Sequence, residues 1–388
     1  IPVPAPKPQP RPVSPVIEEP QPVIKTTKFG FFGSELSVRS DFDNGINLRE
    51  LTPENISEQW KKISERDRGN TISDCISIRK KLGLSDWAYF LMLDSLSARL
   101  CSGVNEAALL HAYLYAQTGY MMRLGICESK LYVLYASEHV IYKKSYYQIN
   151  GTNFYPYSKS NIMKMTLCDA KFPGEEPMSL LIKQQPELSN RPSKGRRIVS
   201  QKYPNLSVNT YTNLNLIDFY NTYPTSMLNG DFCTRWAMYA NVPKSKVAQG
   251  VMYPQLMEKL SGLTEYEAVS RLLDFVQTGF VYEYDDKVWG EDRAFFPDET
   301  IFYPYCDCED RSILFSRMVR DLLGLKVVLV YYPGHLASAV AFNESVKGDY
   351  LQFNGKKYTI CDPTYIGAPI GATMPGMNNM EAKLILTE

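Results

Sequence analysis

A helix that stops at a glycine and is followed by consecutive strands occurs twice along this chain, and that order restricts the fold more than any other feature. From Thr52 to about residue 122 the apolar spacing is helical. "TPENISEQWKKIS" opens with Thr52 as N-cap and Pro53 at the first helical position. "NEAALLHAYLYAQTGY" keeps an apolar stripe until Gly119. Tyr- and Val-rich runs follow, "LYVLYAS", "HVIYKKSYYQI" and "TNFYPYS", which read as strands. The pattern restarts at "LTEYEAVSRLLDFVQTGF", where Thr264 and Glu267 form a capping box. It continues through "CEDRSILFSRMVRDLLG" to Gly324, then "LKVVLVYY", "LASAVAFN" and "YLQFNGKKYTIC". Helices grouped before strands predict an α+β fold and argue against a doubly wound parallel sheet. In each half a histidine (His139, His335) opens the second strand and a Gly-containing hairpin follows ("INGTNFYPY", "FNGKKYTICDPTY"), so the two halves are read as an internal repeat.

The termini of these blocks divide the chain into four parts. Residues 1–27 hold nine prolines in the first 22 positions, which favours extended polyproline II and a semi-rigid, disordered tether. Residues 28–158 form an N-terminal α+β domain, with short strands and a turn at Asn44–Gly45 before the helices. Residues 159–245 are a mixed, β-rich connector in which "MSLLIKQQ", "IDFYNTY" and "RWAMYANV" read as strands or short elements. Residues 246–388 form the second α+β domain. The chain opens on Ile1 and not Met, which reads as the interior of a longer product from which a targeting segment has been removed. A tether then suits an exported, periplasmic or cell-envelope protein.

Charge excludes one class of partner. Lys plus Arg and Asp plus Glu are 42 each, with no sustained basic run, so the footprint of a nucleic-acid binder is missing. Apolar runs such as "LKVVLVYY" fall far short of the ~20 residues needed to span a bilayer.

Eight cysteines in 388 residues are too sparse for a disulfide scaffold, and two of them, Cys306 and Cys308, stand one residue apart before a helix. Cys308 precedes Glu309 and Asp310 and begins the amphipathic run, a location where the macrodipole and free N–H groups favour a thiolate. His335 follows Pro-Gly at the start of an apolar strand. Asp362, in "CDPTY", leaves a strand just before a proline. In that order they make a nucleophile, a base and a carboxylate that orients the base. The Cys308 N–H would supply half of an oxyanion hole, with Gln277 as its second donor. Cys306 and Cys361 are left as packing or redox neighbours, and a Cys306–Cys361 pair would govern access to the thiol. A Cys3His metal site from Cys306, Cys308, Cys361 and His335 is the chemical rival; it lacks the paired Cys-x-x-Cys of structural zinc, so no metal or other cofactor is expected.

"DCEDRSILFSRMVRDLLGL", "GHLASAVAF" and "CDPTY" resemble the bacterial transglutaminase-like superfamily, in a match that covers roughly residues 250 to 370. The resemblance implies a papain-like core, a helix packed on an antiparallel sheet, with Cys308, His335 and Asp362 as its triad. It implies that the first half is a degenerate, non-catalytic copy, with Asn105 or Glu106 near the nucleophile's place and no aspartate in "NFYPYS". The superfamily includes peptidases, amidases and cross-linking transferases, so the expected activity is acyl transfer at an amide or isopeptide bond of a peptide or protein, cell-wall peptide included. The rival expectation is a catalytically silent, tethered peptide-binding or scaffold protein.

Overall fold

The computed structural model describes residues 25–42, 45–168 and 170–387. Most of the proline-rich stretch lies outside them, as do Asp43 and Asn44 of the expected turn. The first strand, β1 (Thr26–Phe31), begins inside the stretch read as tether and pairs with β2 (Ser34–Arg39) around a turn at Phe32–Gly33.

Four helices follow, α1 (Pro53–Arg66), α2 (Asn70–Leu82), α3 (Asp86–Leu100) and α4 (Val104–Gln117). Thr52 caps α1 as expected, its side chain accepting from the Asn55 N–H. Then come β3 (Met122–Cys127), β4 (Lys130–Ala136), β5 (Val140–Ile141), β6 (Tyr147–Ile149), β7 (Thr152–Pro156) and β8 (Thr166–Cys168). The connector holds the hairpin of β9 (Arg196–Val199) and β10 (Ser207–Thr210), then α5 (Leu214–Tyr220), β11 (Ser226–Met227) and α6 (Thr234–Asn241). Helices α5 and α6 correct the strand-like reading of "IDFYNTY" and "RWAMYANV". Their aromatic residues favour strands in isolation, but Phe219, Tyr220, Trp236 and Tyr239 pack as buried helix faces in the main core. Most of "MSLLIKQQ" is irregular.

A π-helical turn (Ala248–Met252) leads into α7 (Tyr253–Leu260) and α8 (Glu265–Gly279). Three short elements come next, β12 (Val281–Tyr282), α9 (Asp285–Val288) and α10 (Pro297–Phe302). Strand β13 (Tyr305–Cys306) then runs parallel to β12, and α11 (Cys308–Leu323) follows it directly. The closing elements are β14 (Lys326–Tyr332), β15 (His335–Ala341), β16 (Tyr350–Phe353), β17 (Lys356–Cys361) and β18 (Lys383–Leu386). None of the described helices is long and apolar enough to cross a membrane.

The molecule is thus a mixture of helix and strand built on two curled, antiparallel half-barrel sheets. Their strand orders are β6-β7-β4-β3-β8 and β16-β17-β15-β14-β18, the same topology strand for strand. In each, the helix before the sheet lies on its two central strands, α4 on β3 and β4, α11 on β14 and β15, and is backed by an earlier helix, α3 or α8. Both hairpins turn on Asn-Gly with both residues left-handed, Asn150–Gly151 and Asn354–Gly355, the backbone of a type I′ turn.

This equivalence also relocates one landmark. His335 opens β15, but its counterpart at the start of β4 is Lys130; His139 comes after β4 has ended. His139 is buried beside Ser226, with 3.4 Å between its Nδ1 and the serine Oγ, and burial pushes its pKa down to about 4.

Helix α11 stops where expected. Gly324 is its C-cap, at φ +66°, and its N–H bonds the Arg320 carbonyl. A Cβ added there meets nothing within 4 Å, so Gly324→Ala tests backbone strain alone. It is expected to lower stability by about 1 kcal/mol, read as a shift in the urea midpoint at constant slope.

Candidate active site

The site is assembled where α11 meets the first residues of β15. Asp307 is the N-cap of α11, its carboxylate accepting from the Glu309 N–H, and Asp310 reaches back to the Asp307 N–H at 3.1 Å. Cys308 is the first residue of the helix and partly exposed. One turn on, Ser312 faces the same side, because residues four apart share a helix face. Both meet the backbone of a single residue of β15. The Leu336 N–H is near enough to the Cys308 sulfur to favour its thiolate form, and the Ser312 hydroxyl donates to the Leu336 carbonyl at 2.8 Å. Ser338 returns a bond to the Ser312 carbonyl at 3.3 Å. These contacts hold the thiol beside the residue that follows His335.

His335 is buried, and its Nε2 lies 2.8 Å from Asp362 Oδ2. The other carboxylate oxygen accepts from the Thr364 N–H, the Thr364 hydroxyl and the Tyr365 N–H at 2.7–3.2 Å. Burial works to raise the pKa of Asp362, but the bonds from His335 and Thr364 outweigh it and hold the carboxyl below its ordinary value. An ionised Asp362 makes Nε2 the protonated nitrogen of a neutral His335 and leaves Nδ1 as the basic one.

Cys308 and His335 line one cleft of about 670 Å³ with Thr364, Tyr282, Trp236 and Tyr331. Sequence reasoning missed the residues that build its far wall. Arg235, on α6, is almost fully buried and bridges Asp292 (2.6 Å) and Glu309 (3.1 Å), and Trp236 Nε1 donates to Glu309 at 2.8 Å. The Trp236 ring lies 5.3 Å from that of Tyr331. No local motif marks these residues; "RWAMYANV" precedes the thiol by some seventy positions.

Other expectations change. The helix terminus does not make Cys308 a ready thiolate. Burial, and after it the Asp307 carboxylate, push its pKa well above the ordinary thiol value, and the Leu336 N–H only partly opposes them. The capping box adds to burial here, since it occupies terminal N–H groups with carboxylates and puts negative charge where the dipole is positive.

Gln277 has its amide committed elsewhere. Its Nε2 donates to the carbonyls of Asp362, Tyr365 and Ala368 and its oxygen accepts from Gly367, so it staples the loop that carries Asp362 and has no amide donor left for an oxyanion.

Cys306 and Cys361 are free, buried thiols in one apolar cluster, bonded to the Val281 and Thr359 carbonyls. Burial pushes Cys306 up to about 12. Both act here as packing residues.

The Cys3His metal set is not brought together among the described residues. The metal-ligand grouping they do form is Asp285, Asp292 and Glu309, whose oxygens lie within 4.8 Å of one another. Arg235 already bridges two of those three, and its guanidinium supplies the positive charge a metal ion would bring.

In the first sheet the corresponding positions are Val104 at the start of α4, Lys130 at the start of β4, and Tyr157 and Ser158 after β7. None of these four can serve as thiol, imidazole or carboxylate. Asn105 and Glu106, expected near the nucleophile's place, fall one and two residues into the helix. Glu106 accepts from the Leu48 N–H at 3.0 Å, so the segment before α1 crosses this helix end. Compared with protein-family models and with curated proteins, the sequence matches none.

Proposed function

We propose that the chain is a cysteine-dependent acyl-transfer enzyme of transglutaminase-like type, acting on an amide or isopeptide bond of a peptide or protein. The observation that carries this reading is the buried His335–Asp362 pair in the wall of the cleft onto which Cys308 opens. A satisfied structural histidine does not need an ionised, four-times-bonded carboxylate behind it and a partly exposed thiol beside the backbone of the next residue.

In this mechanism His335 Nδ1 takes the Cys308 proton as sulfur bonds to the carbonyl carbon. The resulting oxyanion is met by the Cys308 N–H at the start of α11. The proton passes from Nδ1 to the leaving amine as the C–N bond breaks, giving a thioester. Water or a second amine then attacks that thioester, delivering its proton through His335 and restoring the thiol. Because the resting thiol is held neutral, the imidazole has to remove the proton during attack. In the same reading the first half is a degenerate copy of the fold that retains the topology without the chemistry.

The elevated thiol is the observation that favours the silent peptide-binding alternative, and one experiment separates the two. With chloroacetamide at pH 7, the enzyme reading expects Cys308 to be alkylated about 10²-fold faster than the partly exposed Cys101, Cys127 and Cys168, and expects His335→Ala to remove that advantage. In His335→Ala the residual rate should climb about tenfold per pH unit through pH 9, as for a thiol that must ionise unaided. Equal, slow labelling of all four cysteines in the wild type favours the binding protein.

A further inference from the structure

The cleft around Cys308 is electrostatically lopsided. Asp292, Asp307 and Glu309 line it, and Asp285 lies behind, its oxygen close to those of Asp292 and Glu309. Among the described residues, Arg235 is the one arginine or lysine in the lining, and it is spent on Asp292 and Glu309. The Asp292 side chain is 45% exposed, so that charge reaches solvent in the cleft. The walls between these carboxylates are aromatic, with Phe232, Trp236, Tyr282 and Tyr331 among them.

Arg235 shows what such a wall accepts. Its guanidinium carbon sits 3.9 Å from the Phe232 ring centre and 4.9 Å from that of Trp236 while its nitrogens meet the carboxylates. A cation held between ring faces and carboxylates is the arrangement that binds a desolvated ammonium or guanidinium best. Burial is the larger cause of the raised pKa of Asp285, Asp307 and Glu309, and repulsion from neighbouring carboxylates adds to it, so the charge presented to the cleft is chiefly that of the exposed Asp292.

We propose that the cleft selects an acyl donor with a positive charge, a lysine-like or arginine-like side chain, on the residue whose carbonyl reaches Cys308. This rests on the acyl-transfer reading and adds the substrate class to it. One net carboxylate facing a cation across a partly desolvated cleft is worth about tenfold in rate, and the preference should fade as salt screens the exposed Asp292.

The probes are N-acetyl-alanyl chloromethyl ketones ending in lysine, norleucine or glutamate, each forming a Cys308 thioether with loss of chloride. At low salt the second-order rate should run lysine over norleucine by about tenfold, and norleucine over glutamate by a similar factor. In 0.5 M salt the whole spread should contract to roughly threefold. Asp292→Asn should lower the lysine-to-norleucine ratio measured within that variant; the salt series on wild-type protein gives the same answer should the variant not fold. Equal rates for the three probes, or a preference for glutamate, with Cys308 still the fast thiol, overturn the cation preference and leave the acyl-transfer reading standing. If no probe labels Cys308 ahead of the other cysteines, the acyl-transfer reading falls and takes this inference with it.

Discussion

Asp362→Asn is expected to slow alkylation of Cys308 by a peptide chloromethyl ketone about 10³-fold at pH 7 while leaving the protein folded. Asparagine matches aspartate in shape, and its single carbonyl oxygen would stay with the Thr364 and Tyr365 donors. That turns the amide NH2 toward His335 Nε2, where the carboxylate oxygen now lies 2.8 Å away. Nε2 must then accept, and the ring proton moves to Nδ1, the nitrogen that has to take the thiol proton. Wrong-tautomer variants of this kind lose up to about 10⁴ in rate. A loss of less than about threefold would mean that Asp362 does not set the tautomer, and the triad assignment would go with it.

The same substitution carries a pH signature in stability. The folded carboxyl of Asp362 titrates below its ordinary value, and a carboxyl with a depressed folded pKa stabilises the fold when ionised. Its contribution is therefore complete above the unfolded value of about 3.9 and is lost as pH falls through the folded one. The stability gap between wild type and Asp362→Asn should be widest near neutral pH and should close below about pH 4, measured by urea denaturation across that range.

What could be read from sequence follows from how local the physics is. Helix α11 carries its own start and stop, an Asp307 cap, an acid three residues on, an apolar stripe and Gly324, and each acts within a turn. The Asn-Gly hairpins are equally local. The candidates Cys308, His335 and Asp362 could be picked out because each sits at the end of such an element, Cys308 at the start of a helix and the other two at strand ends. The misreadings are all matters of tertiary context. Aromatic residues in α5 and α6 looked like strands because their helical burial against Phe296, α10, α11 and β18 involves residues far away in sequence. His139 looked like the partner of His335 because histidines are conspicuous, whereas strand order assigns that place to Lys130. The Cys308 thiol was expected to be activated by its helix end; the sequence displays Asp307, Glu309 and Asp310, but their burial around the sulfur appears only once α6, the 285–295 segment and α11 converge.

Arg311→Met should be the most destabilising of the single substitutions considered, by about 3 kcal/mol. Arg311 lies one helical turn into α11, is fully buried, and donates to the carbonyls of Gln277 at 3.0 Å and Phe280 at 2.7 Å. Helix α8 ends at Gly279, so the guanidinium satisfies carbonyls that the helix leaves open and places its charge at the negative end of the helix dipole. Methionine fills similar volume but donates nothing. It leaves two buried acceptors unpaired at about 1–3 kcal/mol each, partly relieved by the desolvation of a cation no longer required. Lysine keeps the charge without the two-pronged geometry and should fall between the two. The effect should also reach the chemistry. The Gln277 backbone held by Arg311 belongs to the residue whose side chain staples residues 362–368, so loosening one end of α8 lets the Asp362 carboxylate drift from His335. Arg311→Met protein that remains folded at low temperature should therefore label at Cys308 more slowly than wild type, by roughly tenfold for a displacement of well under 1 Å. Unchanged stability would remove Arg311 from the α8–α11 joint. Lower stability with an unchanged labelling rate would show that the Asp362 loop is held by its own Thr364 and Tyr365 bonds alone.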